Sequence, residues 1–484
     1  MSALLSSASS EWPEVTLSEV ADLVRGVSYP KSDACDEPAV GYVPVLRATN
    51  IQDARLVLES DLVHIAERNV SPEQLLRQGD IVVATSSGSK HLVGKSAQLH
   101  GKWHGAFGAF CAAIRPRSHI DSRYLALYLQ SPGYWRQITK KALGVNINNL
   151  RRGDLETLWL PLPPMEVQRG IVAEIEKQFS RLDEAVANLK RVKANLKRYK
   201  AVVLKAAVEG HLVDTEAELA RREGRGYETG AQLLRRVLDM RRDSWPSKSK
   251  YNKPVWADVA ATLPEGWTWA SLDALLREPL RNGHSARATD NPDGLRAFTL
   301  SAVTEGDFSE ANTKRTVAAA DKVADLWAEP GDIYIERSNT PELVGTARLY
   351  RGSPGFAFIP DLLIRVRMST GVLPGYAEFV LQADEARRYF KSRAQGISGS
   401  MPKIDQAVVE SVPVPLPPLA EQQRIIAEVE RRFSFVHEVA LLVDANLKRS
   451  SRFRQALLSN AFSGVHPVCD RARGAKHNDR GEIC

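Results

Sequence analysis

Cysteine is scarce in this chain. The four residues, Cys35, Cys111, Cys469 and Cys484 in a length of 484, are far apart and lack metal-ligand spacing. A disulfide scaffold and a cysteine zinc site are therefore excluded, and a reduced, cytoplasmic setting is expected. Long apolar runs are missing as well. No stretch approaches the ~18 residues of a membrane span, and the opening MSALLSSASS lacks the basic start of a signal peptide. Recognisable catalytic signatures are equally absent. The chain has no NPPF- or DPPY-type tetrapeptide and no glycine-rich cofactor fingerprint. The nearest phosphate-loop candidate runs from Gly88 to Lys95 and Ser96, but five residues separate Gly88 from Gly94. A phosphate-cradling loop needs about four there, so Lys95 is given no nucleotide role. The ten histidines are scattered; His91, His100 and His104 cluster loosely, which loop polarity explains. Asp80 and Asp332 each follow a glycine at the start of a strand, where an aspartate is read as a turn former rather than a catalyst.

What the chain does have is a repeat. The stretch PLPPMEVQRGIVAEIEKQFS from Pro161 returns as PLPPLAEQQRIIAEVERRFS from Pro415. The offset stays at 254 residues without a gap from Pro161 to Gly210, and 16 of the 50 aligned positions are identical. A fixed offset over such a length marks a duplicated structural unit. Each copy predicts a long helix, with prolines stiffening its start and Gly210 or Gly464 stopping it in the left-handed conformation. Apolar residues recur every seven: Ile175, Leu182, Leu189, Leu196 and Val203, then Val429, Val436, Val443, Ser450 and Leu457. A second row, Val172, Phe179 and Val186 with Ile426, Phe433 and Ala440, lies three or four residues away, as in a coiled-coil seam. At about 1.5 Å per residue such helices run on the order of 65 Å, too long for one small core. They are expected to pack on each other; the competing reading has each packed on its own domain.

The remainder is duplicated more faintly. GDIVVATSSGSKHLVG from Gly79 is answered by GDIYIERSNTPELVG from Gly331, and GVNINNLRRGDLETLWLPLPP from Gly144 by GSMPKIDQAVVESVPVPLPP from Gly399. Short β-rich runs from Gly41, Asp80 and Phe110 alternate with helical segments such as the one from Ser122. The fold class is therefore α/β (α+β) in two copies, separated by two long antiparallel helices under a pseudo-two-fold repeat. The expected division is a disordered tail over 1–10, a globular domain over 11–160, a long helix over 161–212 and a linker with a short helix near 229–243 over 213–262. A second globular domain over 263–413, a second long helix over 414–464 and a disordered tail over 465–484 complete it. Framework is shared between the halves while the loops diverge, the pattern that recognition of two different targets needs.

These features resemble the specificity subunits of type I restriction–modification enzymes. The resemblance rests on the twin PLPP…Gln…Ile-Ala-Glu helices, the Gly-Asp strand motif in each half, and the Gly210, Leu212 exit before the linker. It departs at Val167, where the second copy has Glu421, and at Ser450 and Ser451, which interrupt the second seam. The resemblance implies target recognition domains that each read half of a split double-stranded DNA sequence. It also implies helices that space these domains and dock two methyltransferase subunits, with restriction subunits joining the complex. This chain would be non-catalytic and hold no cofactor, with S-adenosylmethionine, ATP and Mg in the partner subunits. Two other readings remain at this point, a protein-binding coiled-coil scaffold without DNA specificity and an enzyme with an unrecognised site.

Base edges are met by Arg, Lys, Asn, Gln and hydroxyls, and phosphates mostly by cations and N–H groups. In the first half these are offered by Arg47 and Asn50, by Ser86, Ser87, Ser89, Lys90 and His91, and by Asn146, Asn148, Asn149 and Arg151. In the second half the candidates are Arg281, His284 and Arg287, then Arg337, Ser338, Asn339 and Thr340, then Ser398, Ser400 and Lys403. A formal charge of +7 permits a nucleic-acid partner without establishing one. Residues 190–205 hold seven Lys or Arg and no acid, and are read as a solvated helix face or a phosphate contact.

Overall fold

The computed structural model describes residues 12–87, 92–141, 148–245, 251, 253–255, 259, 261–396 and 401–463. Two compact units are formed, one from residues 1–190 with 444–484 and the other from residues 191–443.

In the first unit, strand Ile81–Ala84 follows the Gly-Asp turn and lies between Ser96–Gln98 and Cys111–Pro116. Ala21–Arg25 closes this antiparallel four-stranded sheet against Cys111–Pro116. A smaller sheet holds Tyr42–Leu46 between Val63–Ala66 and Ala106–Phe107, with Ala34–Cys35 at its edge. Helices Ser122–Tyr128 and Pro132–Lys141 cover the first sheet, packing Tyr124, Leu125, Tyr134 and Ile138 on Ile81, Val83 and Ile114. The predicted single helical segment is two helices because Ser131–Pro132 breaks it. Pro132 suits a first turn, and the buried Ser131 hydroxyl accepts from the Tyr134 N–H at 3.2 Å. Nearly all strand pairing is antiparallel, which places each half in the α+β variant of the expected class.

The second unit repeats the plan. Ile333–Glu336 lies between Ala347–Leu349 and Leu363–Val366, with Arg281–Asn282 beyond, and helices Pro374–Gln382 and Asp384–Arg393 pack alongside. Residues 213–262, read from sequence as a polar linker with one helix, contain two among the described residues: Glu216–Glu223 and Gly230–Ser244. The apolar face of the latter, Leu233, Leu234 and Val237, is buried in this unit's main core.

The Gly-Asp motifs are structural in both units. Gly79 and Gly331 adopt left-handed φ of 95° and 96°, a conformation glycine reaches without Cβ cost. Asp80 then accepts from the Arg77 N–H at 2.9 Å and from the Arg115 guanidinium at 2.9 and 2.7 Å. Asp332 does the same with Glu329 N–H at 3.0 Å and with Arg367 at 2.5 and 3.2 Å. Both carboxylates are buried and spent on a bidentate pair.

The two long helices are Met165–Val208 and Leu419–Phe462, 44 residues each, with both ends 254 residues apart. The first ends as expected: Gly210 has φ 73°, and the His211 N–H reaches back to the Ala206 carbonyl at 2.8 Å. Gly464 lies outside the described residues. In the first unit the beginning of one helix lies beside the end of the other, where Ile175 and Phe179 share a cluster with Leu458 and Arg454 bonds Asp183 at 2.8 Å. In the second unit the roles reverse: Val203 and Leu204 share a core with Ile425 and Val429, and Lys200 lies over Phe433. The packing is antiparallel in each. Along the predicted seam Ile175, Val203, Val429, Val436 and Val443 are buried, while Leu182, Leu189 and Leu196 are half-buried among exposed neighbours. After Ser450 the second seam shifts by one residue, so that Leu458 is fully buried and Leu457 only partly.

A glutamine fastens each helix to its globular half. Gln168 is buried, donates to the Pro163 carbonyl at 2.8 Å and accepts from the Asp121 N–H at 2.8 Å. Its counterpart Gln422 donates to Pro417 at 3.2 Å and accepts from Leu373 at 2.9 Å. The Val167/Glu421 departure has a local cause. Glu421 accepts from the Glu216 N–H at 2.8 Å and the Trp267 indole at 2.9 Å, so it holds a helix that leaves the first long helix.

Candidate nucleic-acid interface

The two loops singled out in each half meet in the structure. In the first unit, Ser86–Ser87 pairs antiparallel with Asn148–Asn149, and the Leu150 N–H donates to the Thr85 carbonyl at 2.8 Å. In the second, Ser338 bridges to Lys403, and the Ile404 N–H donates to the Arg337 carbonyl at 2.9 Å. The backbone arrangement is thus the same, with Arg337 standing where Thr85 stands and Lys403 where Asn149 stands. Each strand end is held by the Gly-Asp turn at its other end, so the framework that positions these residues is the part that the two halves share.

A cleft opens beside each bridge. The first, about 430 Å³, is lined by Thr85, Asn149 and Arg151 together with Arg25 and Arg152. The second, about 370 Å³, is lined by Arg337, Arg393, Gln395, Lys403 and Asp405. Asp405 is its one acid among the described residues, and that carboxylate caps the helix Gln406–Glu410 by accepting from the Val408 N–H at 2.9 Å. Asn149, Arg151, Arg393 and Lys403 are exposed, and Arg337 is half-buried. Both clefts present more donors than acceptors, which suits the phosphates and acceptor-rich base edges of DNA.

Several predicted residues are used elsewhere. Asn50 is fully buried; its amide accepts from the Arg47 N–H at 2.8 Å and donates to the Val57 and Ser60 carbonyls at 3.1 and 2.9 Å. That side chain braces its own loop and offers nothing outward. The Arg47 guanidinium is paired with Asp61. Ser338 is 1% exposed, so it supports the second cleft from beneath. Asn339 donates to Glu336 at 2.6 Å, and Thr340 is exposed beyond it. Burial pushes the Glu336 carboxyl above its usual range, against the bonds it accepts from Thr304 and Asn339. Arg281 is exposed on a strand whose next residue, Asn282, accepts from the Gln406 amide at 3.1 Å. The backbones of His284 and Arg287 are bonded to Ile359 and Val317. Ser89, Lys90, His91, Asn146, Ser398 and Ser400 lie outside the described residues, as does the side chain of Asn148.

Sequence reasoning misses Arg25, Arg152 and Arg393. Arg25 reaches the cleft because Ala21–Arg25 pairs with Cys111–Pro116, a contact between segments some 90 residues apart that no local pattern announces. The signal that points to Arg393 is the repeat, which aligns the helix before Lys403 with the one before Asn149. Among the described residues no group of three or more His, Cys, Asp or Glu is placed to hold a metal ion, and no helix is long and apolar enough to cross a membrane.

Residues 9–198 match the family described as the type I restriction modification DNA specificity domain, a span that covers the first globular half and most of the first long helix. Over 455 residues the chain is 28% identical to the EcoKI specificity subunit of Escherichia coli K12, covering 94% of this chain and 89% of that one. The StySPI specificity subunit of Salmonella potsdam is 27% identical over 460 residues, with the same shares covered. In fold, the chain is similar to one solved in work on complex assembly and conformational transition of a type I R-M system. The TM-score is 0.60 at 19% identity, covering 93% of this chain and 97% of that one. A specificity domain is thus matched in the first repeat, and the relatives similar to this chain over both repeats are specificity subunits of type I restriction enzymes.

Proposed function

We propose that this chain is the sequence-specific DNA-binding subunit of a type I restriction–modification complex, each globular half reading one part of a bipartite double-stranded target. The observation that carries this reading is the pair of clefts, built on the same backbone bridge but lined by different side chains, Thr85 and Asn149 in one and Arg337 and Lys403 in the other. A constant frame with divergent lining is what two different half-sites require. The relatives, which are themselves specificity subunits, support it.

In this reading the long helices act as spacer and docking spine for two methyltransferase subunits, with restriction subunits completing the assembly. Methylation and cleavage, with S-adenosylmethionine, ATP and Mg, belong to those partner chains in the cytoplasm, and this chain contributes recognition alone. The buried, paired state of Asp80 and Asp332 supports the non-catalytic assignment, because neither carboxylate is available to a substrate.

The test is methylation-site mapping of the complex assembled with its methyltransferase subunits. A single motif of two defined segments separated by a fixed gap is expected. Methylation without a motif, or with one uninterrupted segment, overturns the reading.

A further inference from the structure

The DNA-recognition reading leaves open what each half reads, and the cleft in the second unit is chemically specific enough to say. We infer that this cleft is a guanine-reading subsite, with Arg337 as its principal base contact and Lys403 as its second donor. The inference rests on the proposed function above and deepens it.

Arg337 is fixed by backbone bonds on both sides. Its N–H donates to the Leu362 carbonyl at 2.8 Å and its carbonyl accepts from Ile404 at 2.9 Å. The side chain therefore starts from a braced strand end, half-buried at the cleft wall, and not from a free loop tip. Lys403 stands on the adjoining segment, whose backbone is clamped by reciprocal bonds with Gln395, both at 2.8 Å. The acid in the lining, Asp405, is engaged by a helix N–H. Arg393 is stacked on Tyr389, 3.8 Å from the ring centroid, which holds its charge at the rim.

The two central side chains thus offer only donors. Among the major-groove edges, guanine presents two adjacent acceptors, O6 and N7, whereas adenine pairs an acceptor with a donor and cytosine shows a donor. A guanidinium fork matches the guanine edge in two parallel bonds, and an ammonium beside it meets the remaining lone pairs. The equivalent positions of the first unit hold a hydroxyl and an amide, Thr85 and Asn149, which cannot make that fork. Phosphate is the competing partner of the same cations, and the fork decides between them. A phosphate contact survives replacement of Arg by Lys far better than a bidentate base contact does.

The experiment uses the full chain assembled with its methyltransferase subunits, first on the wild-type target and then on target libraries with each position of both half-sites randomised. Arg337→Lys and the double variant Arg337→Thr with Lys403→Asn, which installs the residues of the first unit, are compared with wild type. The expected result is that both variants lose discrimination for guanine at one position of the second half-site, by about 10- to 100-fold, with the first half-site unchanged. Arg337→Lys keeps the charge, so a variant that folds and binds with full guanine preference overturns the inference. So does, in the charge-removing double variant, a uniform weakening across all sequences accompanied by a smaller salt dependence, which marks a phosphate contact. If the double variant fails to fold, Arg337→Lys alone decides. If wild type itself shows no second half-site, the proposed function fails; if that half-site is present but carries no guanine that responds to Arg337, only this inference fails.

Discussion

The guanidinium of Arg454 lies 3.9 Å from the centroid of the Phe179 ring while bonding Asp183 at 2.8 Å. The repeat offset of 254 residues separates Arg454 from Lys200 and Phe433 from Phe179, and Lys200 lies over Phe433 at 5.2 Å. One cation–π contact is therefore made twice, once in each unit, by repeat-related residues with their roles exchanged. This is the pattern of a duplicated unit whose helices run antiparallel in both places. Phe179 is buried, so Phe179→Ala should cost about 3–5 kcal/mol through the cavity it leaves. Arg454→Met keeps the aliphatic stem and should cost about 1 kcal/mol. Urea unfolding of the two variants and their double mutant provides the check, since a contact requires the costs to be non-additive by ~0.5 kcal/mol or more.

The buried Gly-Asp carboxylates make a separate claim. Asp80→Asn should strand the Arg115 guanidinium and destabilise the first unit by about 3–5 kcal/mol, and Asp332→Asn should do the same to the second through Arg367. A catalytic role would give the opposite signature, intact unfolding temperature with lost activity. Thermal unfolding read beside DNA binding separates the two outcomes.

Most of the framework was legible in the sequence because it is periodic. Seven-residue spacing marked Ile175, Val203, Val429, Val436 and Val443, which are buried, but not the one-residue shift to Leu458, and a constant offset located the repeat. The Gly-Asp pairs located two strand starts, though not the arginines 35 residues further on that pair with the two carboxylates. What stayed hidden was non-local. Asn50 looks like a base reader in isolation, and only the fold shows its amide closed upon Val57 and Ser60. Leu233, Leu234 and Val237 sit in a polar stretch that reads as linker, but their helix lies against strand partners from both ends of the second half. The cleft cations Arg25 and Arg393 come from a strand and a helix end that meet the bridge only after the chain has folded.

The helix-fastening glutamines should act locally. Gln168→Ala leaves the Asp121 N–H and the Pro163 carbonyl without their partner, at a cost of about 1–3 kcal/mol. Gln422→Ala should cost a similar amount at Leu373 and Pro417. Gln168→Glu keeps the acceptor but turns a carboxylate toward a carbonyl, and should be no milder. Hydrogen exchange at the start of each long helix provides the measurement, with Gln168→Ala raising exchange at Asp121 but leaving Leu373 unchanged.

Glu421 makes stability depend on pH in a direction opposite to the usual surface carboxylate. Burial raises its pKa above the ordinary value near 4.5, against the bonds from the Glu216 N–H and the Trp267 indole that favour the charged form. The folded chain thus holds this proton more tightly than the unfolded chain. Its contribution is fully present below the unfolded value and is lost as pH rises through the folded one. Glu216, beside it, carries Arg225 and Arg424 and is shifted the other way, so the wild-type profile alone mixes the two. Glu421→Gln removes the titration while leaving Glu216 in place. The difference in unfolding temperature, wild type minus Glu421→Gln, should therefore be most positive near pH 4 and fall toward pH 7. Because the amide introduced by Glu421→Gln has a single oxygen to offer the two donors, the variant should also be the less stable protein at the acid end, by about 1–3 kcal/mol. A difference that stays level, or grows with pH, would show that the Glu421 carboxylate is already ionised at no cost in the folded chain, and that the Trp267 and Glu216 bonds outweigh its burial.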